Sequence, residues 1–197
     1  MSQSRRAQVE RKTSETAISL ELSLDGQGQS QIATGIPFFD HMLTLMARHG
    51  MLDISLQAAG DLEVDQHHTV EDIGLTLGKA LKEALGDKAG INRYGWCLLP
   101  MDESLCLAAL DLSGRPHLSY RAEMPGQLIS DFDPSTLEEF LKALVNEGGM
   151  TLHLQVLAGE NPHHVIESIF KALGRCLRMA VEPDPRNGDI PSTKGTL

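Results

Sequence analysis

Two stretches of the chain place a pair of adjacent histidines ahead of a glutamate with identical spacing. They read VDQHHTVEDIG and ENPHHVIESIF, and the residues concerned are His67, His68 and Glu71 in the first and His163, His164 and Glu167 in the second. Residues four apart on a helix share a face, so the first histidine and the glutamate can bind one ion together. Adjacent residues point about 100° apart, so the second histidine should serve another ion or a neighbouring helix.

Both motifs carry the signals of a helix N-terminus. Asp65 and Asn161 each precede the first histidine by two residues and are good N-caps, and Pro162 suits the first helical position. The positive end of the helix dipole disfavours imidazolium, so we expect neutral histidines that are available as ligands. A single pair of this kind is more often a surface or capping feature, whereas two copies with the same spacing and cap favour metal binding.

The chain carries an internal repeat. The two histidine motifs lie about half of the 197-residue chain apart, and SETAISLELSLDGQG resembles DESLCLAALDLSGRP, so that Glu15 matches Glu103. A second match joins the segment that begins FFDHML to the one that begins STLEEF. The chain therefore reads as two copies of one unit, near 14–92 and 102–180, and we expect the copies to pack face to face.

Each copy has the same order of predicted elements. In the first, apolar residues alternate with polar ones from Ile18 to Leu24, which predicts a strand, and a glycine turn and a less certain strand follow. Next come a helix with an apolar stripe, a further strand, and the helix that begins with the double histidine. In the second copy, the apolar helix should begin with a capping box at Ser135–Glu138 and stop at Gly148–Gly149. This order favours an α+β fold with two helices covering one sheet per copy.

The repeat nominates two further ligands. His41 and Glu139 fall at equivalent positions on the helix that precedes each histidine motif. One ion would then be bound by His41, His68, His163 and Glu167, and the other by Glu139, His164, His67 and Glu71. A set of imidazoles and carboxylates without thiolate favours a borderline-hard ion such as Mn²⁺ over structural Zn²⁺, with Fe²⁺, Co²⁺ and Ni²⁺ as alternatives.

Composition narrows the classes of function. The net charge of −10 argues against a nucleic acid or an anionic membrane as partner, although local basic residues can hold a small anion. No apolar run approaches the roughly 18–20 residues that span a bilayer, and the basic start lacks the apolar segment of a secretory signal. We interpret this start as a solvated arm with the charged residues Arg5, Arg6, Arg11 and Lys12.

The cysteines indicate the compartment. There are three, Cys97, Cys106 and Cys176, and their spacing matches neither a CxxC motif nor a zinc ribbon. An odd number of scattered cysteines is typical of reduced, buried thiols in a cytoplasmic protein.

Taken together, the motifs resemble a known family. GIPFFDHML, HHTVEDIGLTLGKAL, NRYG, GRPH, NPHHVIESIFKALGRCL and PSTKG are similar to the imidazoleglycerol-phosphate dehydratase family from about residue 9 to 195. The resemblance implies an internally duplicated α+β fold, each half a four-stranded sheet with two helices packed on one face. It also implies two Mn²⁺ ions per active site and a homo-oligomeric shell of 24 subunits built from trimers, with active sites between subunits. We divide the chain into a first repeat with an N-terminal arm (1–93), a second repeat (94–181) and a C-terminal substrate-binding tail (182–197).

The resemblance also assigns residues. The family's metal positions match His41, His67, His68, Glu71, His163, His164 and Glu167, and the remaining one falls on Glu139, where many members have histidine. Its substrate positions match Glu15, His49, Arg93, Arg115 and Lys171, and the ring-facing ligands His41, His67, Glu71 and His163 also contact substrate. The tail motif is commonly Ser-Ser-Lys-Gly, and here Thr193, Lys194 and Gly195 follow Ser192, so phosphate binding should be retained.

The implied reaction removes water from D-erythro-imidazole-glycerol phosphate and gives imidazole-acetol phosphate, a hydro-lyase step of histidine biosynthesis. Ions on the ring would favour an imidazolate, which can expel the neighbouring hydroxide through a diazafulvene-type intermediate. Glu15 is the first candidate for proton transfer and Glu167 the second. The alternative is a non-catalytic metal-binding assembly, for storage or sensing, in which Arg93, Arg115 and Lys194 would be idle. A dinuclear hydrolase is a weaker third interpretation.

Overall fold

The computed structural model describes residues 5–123 and 128–197, which form two similar halves. The strands are β1 (Arg6–Lys12), β2 (Thr16–Ser23), β3 (Ser30–Ala33), β4 (Asp53–Gly60), β5 (Tyr94–Met101), β6 (Ser104–Asp111), β7 (His117–Arg121) and β8 (Thr151–Ala158). The helices are α1 (Pro37–Gly50), α2 (His67–Leu85), α3 (Thr136–Gly148) and α4 (Pro162–Val181).

Each half contains one four-stranded mixed sheet. The strand orders are β1-β2-β4-β3 and β5-β6-β8-β7, and in both sheets the last two strands in this order are parallel while the other neighbours are antiparallel. Helices α1 and α2 pack on the first sheet, and α3 and α4 pack on the second. The predicted α+β duplication is confirmed. Each half also has one strand that lies before the predicted repeat unit, β1 in the first half and β5 in the second.

The two halves pack face to face through their helices. Helix α1 contacts α4 and α2 contacts α3, so four helices lie between the two sheets. Glycines allow the close approach, because a Cβ on Gly78 would lie 2.6 Å from the carbonyl oxygen of Leu144, and one on Gly174 would lie 2.5 Å from that of Met46. A single hydrophobic core runs through this layer. None of the helices in the described ranges combines the length and apolar character that crossing a membrane requires.

The segment interpreted as a solvated arm is instead an edge strand, and that interpretation was wrong from Arg6 onwards. Strand β1 pairs antiparallel with β2, and Val9 is buried. Arg11 reaches under the sheet to Asp72 on α2, at 2.8 Å between Nη2 and Oδ1. The strand was missed because a half-buried strand is recognised by alternating apolar residues, and Val9 is the one large apolar residue of β1. At Arg11 an ion pair takes the place of an apolar contact.

The helix ends follow the predictions with two differences. Asn161 accepts a hydrogen bond from the backbone N–H of His163, and Pro162 is the first residue of α4. Helix α2 has Gln66 at its N-cap, although Asp65 still accepts from the N–H of His67 at 2.8 Å. The predicted capping box at Ser135 was wrong, because the Ser135 side chain makes no capping hydrogen bond.

The C-terminal residues 182–197 pack on the segment that joins the halves. Ile91 forms a β-bridge with Pro183, and Arg93 donates from Nη1 to the carbonyl oxygen of Pro191 at 2.7 Å. At the end of the chain, a Cβ on Gly114 would lie 3.0 Å from the carbonyl carbon of Leu197. The tail is therefore held at three points, through Pro183, Pro191 and Leu197.

Candidate active site

Three of the predicted ligands come together on the layer of helices. His41 on α1 and His163 and Glu167 on α4 each offer one ligand atom, and these atoms all lie within 4.8 Å of one another. His163 Nε2 is 3.2 Å from Glu167 Oε2, as the four-residue spacing predicted. The rings of Phe38 and His163 lie nearly perpendicular to one another, with centroids 5.1 Å apart. Two imidazoles and a carboxylate are a donor set that suits a divalent first-row ion.

The equivalent group in the other half is less tightly gathered. His67 Nε2 lies 3.8 Å from Glu71 Oε2 across one turn of α2. Glu139 lies on α3, which packs on α2, and its carboxylate forms a salt bridge with Lys142 at 2.9 Å. Within residues 5–123 and 128–197, His41, His163 and Glu167 are the one group of at least three potential ligands in mutual reach.

The second histidine of each motif faces a carboxylate that the sequence did not reveal. His68 Nδ1 lies 3.0 Å from Asp61 Oδ2, and His164 Nδ1 lies 2.8 Å from Glu103 Oε2. These hydrogen bonds raise the pKa of both imidazoles. The helix N-terminus was expected to lower these two pKa values, and that direction was wrong, since the neighbouring carboxylates outweigh the helix dipole.

Glu103 is itself fixed by the loop that leads into α4. Its Oε1 accepts hydrogen bonds from the backbone N–H groups of Asn161 at 2.8 Å and Glu160 at 3.3 Å. The His164 hydrogen bond first, and then the backbone donors, lower the pKa of Glu103 to about 2. The match between Glu15 and Glu103 in the repeat was a signal that pointed to this position.

A second cluster joins the metal-ligand candidates to two predicted substrate residues. Lys171 forms a salt bridge with Glu167 one turn along α4. Burial raises the pKa of Glu167, whereas the hydrogen bond from Lys171 and the positive charges around the carboxylate lower it. The lowering effects are larger together, so the pKa lies below its ordinary value. His49 at the end of α1 has a lowered pKa, because of burial and then the charges of Lys171 and Arg175. His49 and Lys171 therefore lie on the same side of the α1–α4 pair as Glu167.

Glu15 lies directly before β2, beside the start of α2. Its side chain is 51% exposed, and its Oε2 is 3.8 Å from His68 Nδ1, beyond hydrogen-bonding distance. The backbone around it is ordered, since the N–H of Asp61 donates to the carbonyl oxygen of Glu15 at 3.2 Å. The carboxylate of Glu15 therefore lies near His68 without a hydrogen bond to its ring.

The predicted phosphate residues lie in a separate part of the chain. Arg93 makes a two-point salt bridge with Asp111, at 2.7 and 3.1 Å, and this carboxylate raises its pKa. Residues Ser192–Gly195 form an exposed turn in which the N–H of Lys194 donates to Ser192 Oγ at 3.2 Å. Arg115 is exposed, and Gly195 has a φ of 71°, which favours glycine.

The distance between these two parts is large. Arg93 donates from its backbone N–H to the carbonyl oxygen of Ala180, near the end of α4. Ala180 lies 17 residues beyond His163, which on a helix is about 25 Å. Strand β6 leads to a similar distance. Glu103 precedes its first residue and Asp111 is its last, and the strand is about 23 Å long. The phosphate and ligand groups of one chain therefore lie at opposite ends of the second half.

The fold and the site define the chain as a duplicated α+β protein with two histidine–glutamate helices, one of which contributes to a group that could hold a metal ion. The sequence model of the family described as "Imidazoleglycerol-phosphate dehydratase" matches residues 34–177. The chain is 59% identical over 194 residues to the imidazoleglycerol-phosphate dehydratase of Moorella thermoacetica, covering 98% of this chain and 99% of that protein. It is 57% identical over 195 residues to that of Acidiphilium cryptum, covering 98% of this chain and 100% of the relative.

Solved structures agree with the sequence comparison. The imidazoleglycerol-phosphate dehydratase of Staphylococcus aureus aligns with a TM-score of 0.82 and 38% identity, covering 91% of this chain and 99% of that one. The corresponding structure from Pyrococcus furiosus gives 0.83 and 36%, covering 96% and 100%. The chain belongs to the imidazoleglycerol-phosphate dehydratase family. It is accordingly an enzyme, a hydro-lyase, rather than a storage or sensor protein.

Proposed function

We propose that the chain dehydrates D-erythro-imidazole-glycerol phosphate to imidazole-acetol phosphate in histidine biosynthesis, with two Mn²⁺ ions per active site. The observation that carries this proposal is the meeting of His41, His163 and Glu167 on two helices, in a chain of this family. The substrate offers an imidazole ring to the ions and a phosphate to basic residues, and the chain supplies groups for both.

The imidazole and carboxylate ligands fit the proposed metal. The residues that would hold the two ions are His41, His67, His68, Glu71, Glu139, His163, His164 and Glu167. Bound ions would act as Lewis acids that stabilise negative charge on the substrate ring. Replacing His163 with Asn should lower the Mn²⁺ content per chain, and the same change at the exposed His153 on β8 is the matched control. Full Mn²⁺ content in the His163 variant would contradict the assignment.

Proton transfer is assigned to Glu15 first. Its carboxylate is half exposed and lacks a hydrogen-bonded partner side chain within the described residues, whereas Glu167 is held by Lys171 and is also a ligand candidate. Glu15→Gln should reduce kcat while Mn²⁺ binding is retained, because the amide keeps the shape but cannot take up a proton. Unchanged kcat in this variant would move the role to Glu167.

Phosphate binding is assigned to the tail and two arginines. Thr193, Lys194 and Gly195 form an exposed turn with a hydroxyl, an ammonium and backbone N–H groups, and Arg115 is exposed. Arg93 holds the tail through Pro191 and keeps further N–H groups for an anion, since a guanidinium has five donors. Lys194→Ala should weaken substrate binding and leave the metal in place, which separates recognition of the phosphate from binding of the ions.

The site is proposed to form between subunits. Within one chain the tail and the ligand group lie about 20–25 Å apart. Three carbons separate the ring of the substrate from its phosphate group, so one molecule spans less than about 10 Å. One substrate therefore needs ligands from one subunit and phosphate donors from another, which supports a homo-oligomer. The form that the family resemblance implies is a shell of 24 subunits built from trimers.

The outer faces of the two sheets support this assembly. The first sheet presents polar residues such as Gln8, Glu21 and Gln57 to solvent, as a solvated sheet does. The second presents large apolar side chains, with Trp96 65% and Leu98 58% exposed. An apolar sheet face of this kind is typical of a protein interface. Light scattering should show particles far larger than a trimer, and Trp96→Glu should reduce their mass; a monomeric wild-type protein would contradict the proposal.

We also place the enzyme in the cytoplasm. Cys97, Cys106 and Cys176 are free, and two of them are buried. Free thiols are usual in a reducing compartment. Fractionation of cells that produce the protein, with blotting for the chain, tests this assignment directly.

A further inference from the structure

The second histidine of each motif is held on its Nδ1 side by a carboxylate from the end of a strand. Asp61 follows β4 and faces His68 with both oxygens, at 3.0 and 3.2 Å, while Glu103 precedes β6 and faces His164 at 2.8 Å. A carboxylate accepts hydrogen bonds and cannot donate them when ionised. In the neutral imidazole this hydrogen bond therefore places the ring proton on Nδ1 and leaves the Nε2 lone pair available to an ion. Asp102 Oδ2 lies 3.8 Å from His164 Nε2, beyond hydrogen-bonding distance.

We propose that Asp61 and Glu103 are positioning residues that hold His68 and His164 in the tautomer and orientation that bind a metal ion through Nε2. The inference rests on the proposed role of these histidines as metal ligands. Carboxylates behind metal-binding histidines commonly fix the ring in this way and strengthen the ligand. Each carboxylate is placed by strand backbone, so the ring orientation is set before an ion arrives.

The two halves use different residues for this task, and the difference has a consequence for Glu15. Glu15 and Glu103 hold equivalent positions, one residue before β2 and β6. Glu103 is committed to His164, whereas in the first half Asp61 takes the hydrogen bond and Glu15 remains 3.8 Å away. Asp61 thus leaves Glu15 unengaged, which is the state that a proton-transferring carboxylate needs.

The test is a Mn²⁺ titration of chelator-treated protein, with free Mn²⁺ measured by electron paramagnetic resonance and no substrate present. The key comparison is Asp61→Asn against Asp61→Ala. In Asp61→Asn the amide donates to Nδ1, so the ring proton moves to Nε2 and blocks the ligand position. In Asp61→Ala no donor is present, and Glu15 is near enough to replace the missing acceptor.

A positioning role predicts that Asp61→Asn weakens one class of Mn²⁺ sites by roughly 10- to 100-fold and Asp61→Ala weakens it less. Glu103→Gln should match Asp61→Asn, and the control Glu160→Gln, at a residue that follows β8, should bind like wild type. The alanine variant should also lose kcat, because Glu15 becomes engaged with His68. Circular dichroism and the thermal midpoint check that each variant is folded, and if Glu103→Gln is not, the two Asp61 variants decide alone.

Weaker Mn²⁺ binding by Asp61→Ala than by Asp61→Asn would overturn the inference. A merely structural role makes alanine the more damaging change, since asparagine keeps the shape of the side chain. Wild-type affinity in Asp61→Asn would equally exclude it. If wild-type protein itself fails to bind Mn²⁺, the proposed metal is wrong. If wild-type protein binds Mn²⁺ but Asp61→Asn and Asp61→Ala bind it equally well, only the positioning role is wrong.

Discussion

Complementation between two impaired variants tests whether the active site joins residues from different subunits. His163→Asn removes a ligand candidate, and Lys194→Ala removes an ammonium from the tail. In one chain these residues belong to groups about 20–25 Å apart. If a site takes His163 from one subunit and Lys194 from another, an oligomer that contains both variants includes some sites with neither change.

The size of the recovery follows from random mixing. When both chains are present in equal amounts, each position of a site carries the native residue with even odds, so roughly a quarter of sites are intact in a symmetric oligomer. Lys194→Ala alone should retain some activity, since a charged hydrogen bond contributes roughly 10- to 100-fold to kcat/KM. Mixed oligomers should then exceed both parents and approach a quarter of wild-type activity at low substrate concentration.

The assay uses two tags. The chains are co-expressed with different affinity tags, purified over both columns, and assayed for the keto product below KM. The matched control combines His163→Asn with His41→Asn, because the structure places these two residues in one chain's ligand group. That control should show no recovery. Verified mixed oligomers of the first pair with no more activity than their parents would refute the shared site.

Two further predictions concern the scaffold. Arg11→Leu leaves the buried Asp72 without its ion pair and should lower the free energy of unfolding by about 1–3 kcal/mol. This is less than for a fully buried pair, because Arg11 is 38% exposed. Adding Asp72→Ser, which imitates Ser168 in the other half, should restore the thermal midpoint, and no restoration would contradict the ion-pair explanation. Burial raises the pKa of Cys106 to about 12 and also raises the pKa of Cys176. Both thiols should therefore stay protonated between pH 7 and 9. Mass spectrometry should find that alkylation of these two thiols does not rise with pH in native protein and does rise after denaturation.

The sequence predicted the elements whose pattern repeats. The period of the apolar residues and the doubled histidine motif located the strands β2, β4, β6 and β8 and the helices α2 and α4. The spacing of His163 and Glu167 placed both in one ligand group. These features are local, so one helix turn is enough to derive them. His41 lies outside the doubled motif, and the repeat nominated it through its equivalent Glu139 before the family resemblance assigned it.

The features that were missed depend on tertiary contacts. Strand β1 has little apolar signal, because the half-buried Arg11 pairs with the buried Asp72 on α2. Asp61 and Glu103 meet their histidines where strand ends pass the start of a helix, and nothing in the local pattern marks that meeting. The raised pKa of His68 and His164 follows from the same contacts, so helix position alone predicted the wrong direction.

A product assay on one preparation of wild-type protein tests whether dehydration depends on the metal. The protein is stripped with a chelator, incubated with imidazole-glycerol phosphate, and then given Mn²⁺ while the keto product is followed. We expect no product before the addition and steady formation after it. Intact substrate in the presence of protein with confirmed bound Mn²⁺, or undiminished turnover by stripped protein, would contradict the account.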